Sequence, residues 1–422
     1  MNRLFIVLPI IIQQFCIPFN QCKAQDDTTK TENIRNEAPR VYIDCFFCDF
    51  EYIKKEISYV NYVRSQEDAE IRILITKQST GSGGTEFYIQ MDGHYRFAFM
   101  NDILKYVSKP NSTEDEIRTG LTQILKLGLM QYIAKTPISQ QVTINYADTV
   151  QKETTVVEDK WKSWIFELIL GGWFNGEELY KMTNLWTVVS ASKITPDWKS
   201  ETRLVYDHYD TRYVVDDVTI TSLKDYKYMN HQTVKSMGEH WSAGANISLN
   251  SSSYDNIEFG CDVLPAIEYN LFPYSESAKK QLRFLYRAGY RYFQYNDTTL
   301  FNKTEENLFG QNLEIALEIK ELWGSASVSL MGYNYFHDFK KNRLMMYSSL
   351  RLKITKNLAF NLSGQVNIIH DQLSLPKAGA TSEDILLRQR QLATQYSYNA
   401  SIGLTYTFGA IYNNVVNPRF GL

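Results

Sequence analysis

Histidine and cysteine are scarce in this chain, six and five in 422 residues. That scarcity restricts metal and thiol chemistry from the outset. A structural zinc site wants four ligands, and the stretch around Cys45 and Cys48 offers only His94 besides, so no metal and no other cofactor is expected. The histidines build no triad either: "EHWSAG" sets His240 near Ser242 without a third member, and His337-Asp338 and His370-Asp371 read as polar residues at strand ends. The chain is therefore not expected to be an enzyme. Charge of one sign is missing as well, since 44 Lys+Arg against 47 Asp+Glu leave a net charge of −3, which argues against a nucleic-acid partner. Past residue 25 no window supplies the ~18 consecutive apolar residues of a membrane helix.

What is present begins with an address. Arg3 precedes the apolar "LFIVLPIIIQQFCIPF", and "CKA" places Cys22 and Ala24 at the −3 and −1 positions of a cleavage site, so residues 1–24 read as a secretory signal peptide. A polar linker follows over 25–39. The second half of the chain then changes period. In "YSYNASIGLTYTFG" Tyr396, Tyr398, Ala400, Ile402, Leu404, Tyr406 and Phe408 alternate with small and polar residues, over a length that crosses a bilayer as a tilted strand. "NLAFNLSGQVNI", "GSASVSLMGYNY", "LEIALEIK" and "WSAGANISL" repeat the pattern. Soluble β-sandwich strands usually run nearer five or six residues. The fold expected is mainly β: a transmembrane antiparallel β-barrel of about twelve strands over 161–410, preceded by a small α/β domain.

Strands are placed at about 162–175, 181–194, 198–210, 221–237, 240–252, 256–270, 281–295, 311–322, 325–337, 342–354, 358–370 and 396–410. Connectors such as "TPD", "GE", "WG" and "TKN" fall after even-numbered strands, with "LFPYSESAKK" the longer exception. "TRYVVDDVTI", "NDTTLFNKTEENLFG" and "DQLSLPKAGATSEDILLRQRQLATQ" fall after odd ones. Such barrels place short turns in the periplasm and long loops outside. The fourth strand alternates poorly, so ten strands remain open. "SEDILLRQRQLATQ" reads as a short amphipathic helix, either a plug or a surface epitope, and 411–422 as a C-terminal tail.

Inward-facing charges alternate from strand to strand. Glu258, Asp262 and Glu268 lie on one strand, Arg283, Arg287 and Arg291 on the next, Glu314 and Glu318 on the one after. Neighbouring strands bring such rows within pairing reach. Lys199, Glu201, Arg203 and Asp207, and Arg351 with Lys353, add mixed-sign rows. The rows fit a selective polar channel or a salt-bridged interior that fills a small barrel.

The region 40–148 reads as a periplasmic α/β domain, joined to the barrel by a linker over 149–160. "RVYIDC" is a strand, "FEYIKKEISYVNYVR" a helix with Phe50, Ile53, Ile57 and Val60 on one stripe, and "AEIRILITKQ" and "TEFYIQMDG" strands joined by a flexible "STGSGG" hairpin. Thr113 and Glu116 form a capping box for a second helix, with Ile117, Leu121, Ile124, Leu125 and Gly128 buried, and "QVTINYAD" is a last strand. Cys45 and Cys48 fit a structural disulfide fixing the strand-to-helix turn, reduced buried thiols, or a redox pair. Asp44 and Asp49 flank them and disfavour a thiolate, and no βαβ order of a thioredoxin-like fold is evident. Cys261 reads as a small lipid-facing residue.

"DCFFCDFEYIKKEISYVNYVR", "AEIRILITKQSTGSGGTEF", "PAIEYNLFPYSES", "LLRQRQLAT" and "SYNASIGLTYTFGAIYNNVVNPRF" resemble a family of Gram-negative outer-membrane proteins to which no reaction is assigned. The resemblance implies an outer-membrane β-barrel with an N-terminal periplasmic domain. Two functions are expected to compete: a barrel anchoring a domain that binds a periplasmic envelope protein, and a narrow channel for small polar or charged solutes. The partners expected are outer-membrane lipid and that envelope protein, around a monomeric barrel.

Overall fold

The computed structural model describes residues 37–81, 83–144, 160–215, 218–379, 390–412 and 414. The expected signal peptide, most of both linkers, the core of the last-loop helix and the end of the tail lie outside these residues.

The first domain is built on a five-stranded sheet of order β2-β1-β3-β4-β5, from β1 (Arg40–Asp44), β2 (Asn61–Tyr62), β3 (Ile71–Ser79), β4 (Thr85–Gly93) and β5 (Asn101–Ser108). Odd residues of β1 and β3 turn Val41, Ile43, Ile71, Ile73 and Ile75 onto one face, all buried. Helices α1 (Phe50–Glu56) and α2 (Glu114–Ile133) belong to this domain, and Ile53, Leu121, Leu125 and Leu129 join those residues in a single core. Each such side chain stabilises the fold by about 1.5–3 kcal/mol relative to exposure. The capping box of α2 is complete, with Thr113 Oγ1 accepting from Glu116 N at 3.2 Å and Glu116 Oε2 from Thr113 N at 2.9 Å. Gly128 lets α2 approach the sheet closely, because a Cβ there would lie 2.6 Å from Leu104 and Met91.

Three expectations for this domain need correction, and one strand was missed. The first helix stops at Glu56, and Ile57 and Val60 are buried from the following loop; Asn61 and Tyr62 instead pair parallel to Arg40 and Val41. That makes β1-α1-β2 a minimal βαβ unit, hidden in the sequence because β2 has only two residues. β5 was not anticipated, since its outer positions are exposed on an edge. The expected strand over 141–148 is not seen in its described part, where Pro137–Gln141 form a 3-10 turn.

The second region is a twelve-stranded antiparallel sheet in strict sequence order: β6 (Trp164–Gly176), β7 (Tyr180–Ile194), β8 (Trp198–Val215), β9 (Val218–Ser236), β10 (Trp241–Ser252), β11 (Ile257–Asn270), β12 (Lys280–Tyr295), β13 (Glu305–Glu321), β14 (Gly324–Tyr335), β15 (Asn342–Lys353), β16 (Leu358–Ile369) and β17 (Tyr396–Tyr406). The poorly alternating fourth strand is present as β9, with 19 residues the longest, so the count is twelve. The expected loop "TRYVVDDVTI" is mostly strand: Tyr213 pairs Ile220 and Val215 pairs Val218, as its β-branched residues favour. β13 likewise begins at Glu305, shortening the loop before it.

The sheet does not close. Among the described residues no ladder joins β6 to β17. Alternation specifies which face each side chain takes but is silent on whether the two end strands meet. The connectors 195–197, 237–240, 271–279, 322–323 and 354–357, the entry to β6 and the exit from β17 share one rim, here the short-turn rim, while 177–179, 253–256, 296–304, 336–341 and the described ends of the last loop share the other.

Candidate functional site

The two faces of the sheet differ in chemistry along the same strands. Phe259, Val263, Ile267, Phe309, Leu313, Leu344 and Met346 are exposed on the outer face. Their neighbours one residue away build an ion-paired inner wall. The register sets Asp262 opposite Arg291, Ala266 opposite Arg287 and Leu285 opposite Glu314, so the charges meet head-on in one pair and diagonally in the others. Arg283 donates to Glu314 at 2.7 Å and lies 3.6 Å from Glu268, while Arg287 reaches the other Glu314 oxygen at 3.3 Å and Asn312 at 3.2 Å. Glu314 is thus a carboxylate shared by two guanidiniums. Arg291 lies 3.5 Å from Asp262 and 4.3 Å from the centre of the Tyr333 ring, and Ser248 donates to Asp262 at 3.2 Å. Glu318 pairs with Lys320 at 2.7 Å and accepts from Gln281 at 2.7 Å. On β8, Lys199 and Glu201 pair at 2.9 Å.

Glu258 is the exception among the eight charged positions. A bulge lies between Ile257 and Phe259, and Glu258 accepts from Gln294, opposite Phe259 on the outer parity, at 2.9 Å. The extra residue shifts Glu258 out of the inner row, and strict alternation could not foresee it. At the short-turn rim, Tyr274 donates to Glu268 at 2.9 Å and contacts Ser242 at 2.9 Å. Burial pushes its phenol up to about 12.

Above this wall a cavity of about 330 Å³ opens between Arg291, Tyr333, Tyr335, Arg343 and the start of the last loop. That loop folds inward in its described part. Asp371 takes both Nε and Nη2 of Arg343 at 2.8 Å, Leu373 packs with Leu308, Tyr333 and Tyr335, and Asn256 donates to Ser374 O at 2.8 Å. Arg343 was not singled out from sequence, and Asp371 was read only as a polar residue at a strand end; their pairing was not foreseen, because a loop-edge aspartate and a strand-end arginine have no periodicity in common. No family model matches the chain, and no curated protein matches it. Among solved structures it is similar to a NanC porin, solved in a rhombohedral crystal form, at 10% identity and a TM-score of 0.27, over 57% of this chain and 99% of that one.

Tryptophan supplies a signal that the strand pattern had hidden. Trp161, Trp198, Trp241 and Trp323 are all exposed and all sit at the short-turn rim. Amphipathic rings collected at one level are the side chains that a membrane interface favours.

The N-terminal domain carries Cys45 and Cys48, which are joined as a disulfide with Cα atoms 5.6 Å apart. Asp49 caps α1 by accepting from Tyr52 N at 2.9 Å, and Arg118 of α2 donates to it at 2.9 Å. Those bonds hold its carboxyl below the ordinary value of 3.8. Among the described residues no group of three or more His, Cys, Asp or Glu could hold a metal ion.

Proposed function

We propose that this chain is an outer-membrane β-barrel protein whose twelve strands span the bilayer and whose inner face frames a narrow passage for small polar or charged solutes. The observation that carries the reading is the two-faced wall: large apolar side chains on the outer face and, one residue away, two ion-paired groups on the same inner row, Asp262 with Arg291 and Glu268 with Arg283, Glu314 and Arg287. The tryptophan belt supports a membrane interface at that rim, which this reading takes as the periplasmic one, with the N-terminal domain on the same side. In a bilayer the free edges of β6 and β17 need partners, and the two run in opposite directions, as the end strands of an even-numbered barrel do. The protein works as a monomer in lipid without a cofactor.

The test is single-channel conductance of the refolded full chain in planar bilayers. Steady current whose ion preference shifts when Arg287 is replaced supports a passage with the arginine row as its filter. A folded barrel that carries no current under any condition sinks that reading. A second reading, a barrel that anchors a partner-binding domain for an envelope protein, draws on the domain's exposed β5 edge and on Phe46, 80% exposed beside the disulfide.

A further inference from the structure

The first domain does not hang free of the sheet. It touches the short-turn rim at both ends. At one end Lys353, the last residue of β15, reaches into β1, where its ammonium lies 2.6 Å from Asp44 Oδ2, donates to the Tyr42 hydroxyl and sits 4.6 Å from the centre of the Tyr42 ring. Lys356, in the next turn, pairs with Asp68 at 2.5 Å. Beyond β17 the chain turns back to the edge strand β2: Val63 and Tyr412 form an antiparallel bridge, Arg64 N donates to Ile411 O at 3.1 Å, and Asn414 bonds both Tyr62 N at 2.6 Å and Asn61 Oδ1 at 3.0 Å. At the other end the tip of the β3–β4 hairpin meets β7, where a Cβ on Gly81 would lie 2.9 Å from Ile194. Between these points a cavity of about 370 Å³ separates Phe46, Phe47 and Leu74 of the domain from Glu318, Lys320 and Arg351 of the wall.

The sheet of the domain explains the seat. One face is covered by the helices, and the other carries Tyr42, Asp44, Leu74 and Thr76 toward the rim. Contacts at β7 on one side and at β15 and the segment after β17 on the other set that face across the short-turn rim.

We infer that the N-terminal domain is a lid on the periplasmic mouth of the barrel, latched by Lys353 between Asp44 and Tyr42 and released when that latch is broken. The inference rests on the passage reading above. Its partner surfaces are both in this chain, and its main latch is an ion pair only partly shielded from water, Lys353 at 25% and Asp44 at 30% side-chain exposure, so it weakens as salt rises.

The experiment records single-channel current from the full chain and from Lys353→Glu, Asp44→Lys and the double charge swap, and in parallel tests whether Gly81→Cys with Ile194→Cys cross-links across the seat. The lid predicts a mostly closed parent, an open fraction raised about fivefold by either single reversal, and return toward the parent in the double swap. It also predicts a cross-link that forms in the parent background and holds the channel closed until it is reduced. Asn414→Ala, which removes the tail's two bonds to β2, raises the open fraction without touching the latch charges. Equal current from every variant, with the cross-link intact, overturns the lid and leaves the passage reading standing. No current from any variant, including the released ones, overturns the passage reading itself.

Discussion

Replacing Glu314 by Gln removes the one carboxylate that Arg283 and Arg287 share, and the consequence can be worked from the contacts. At 2.7 and 3.3 Å each pair has a gross attraction of about 5–6 kcal/mol at an effective dielectric of about 20. Desolvation offsets most of it, and the guanidiniums are 33% and 26% exposed, so the net loss falls near the surface range, about 2 kcal/mol for both pairs together. Arg283 retains Glu268 and Arg287 retains Asn312, which keeps the loss from growing larger. The assay is urea unfolding of the lipid-reconstituted protein followed by tryptophan fluorescence, for Glu314→Gln, Arg287→Met and the double variant. A coupling energy of about 1 kcal/mol is expected between the two sites. One negative charge fewer in the wall also moves the reversal potential toward anions. A coupling below about 0.3 kcal/mol together with an unchanged reversal potential would refute the shared-carboxylate account.

Three further outcomes are expected. The Asp49 carboxyl is held below 3.8 by the Tyr52 amide and then by Arg118, so the stabilisation it gives is present above that value and is lost as pH falls through the depressed one; the protection of the α1 amides relative to their intrinsic exchange rates should fall below about pH 4, and Asp49→Asn should flatten that acid limb. Cys45→Ala with Cys48→Ala opens a ring of sequence separation 3 and should cost the domain about 2 kcal/mol, seen as faster exchange in β1 and α1 with the sheet of the barrel unaltered; equal loss across β6–β17 would contradict separate cores. In lipid, the amides of β6 and β17 should be protected as well as those of β12, because a bilayer leaves no water to satisfy an open edge; persistent fast exchange along both strands would show that the seam stays open in the membrane.

Much of the sheet was legible because alternation is a local property. Phe259 or Leu313 takes the opposite face from its neighbour whatever the rest of the chain does, and strand order followed from short connectors. Length was less legible at β8 and β9, where Val214 and Val215 extend the ladder past the residues that looked like a loop. Rows were legible only where parity held, and individual partners were not: the register sets Arg291 opposite Asp262, while the bulge removed Glu258 from the row. In the first domain the capping box announced α2 from Thr113 and Glu116 alone. α1 did not show its end, because Ile57 and Val60 keep the apolar stripe going after the backbone has left the helix. Lys353 looked like a lumen charge, and nothing near it in sequence pointed to Tyr42 and Asp44 more than 300 positions away.

The strand-like segment after β17 gives the order of synthesis a consequence. β2 of the first domain is made before any strand of the large sheet, yet its outer edge is covered by Asn414, 352 positions after Tyr62, while Tyr412 and Ile411 cover the next two residues, Val63 and Arg64. That edge therefore stays open until β17 has been made and the segment after it has docked. A probe that recognises the uncovered β2 edge would count unfinished molecules in the envelope.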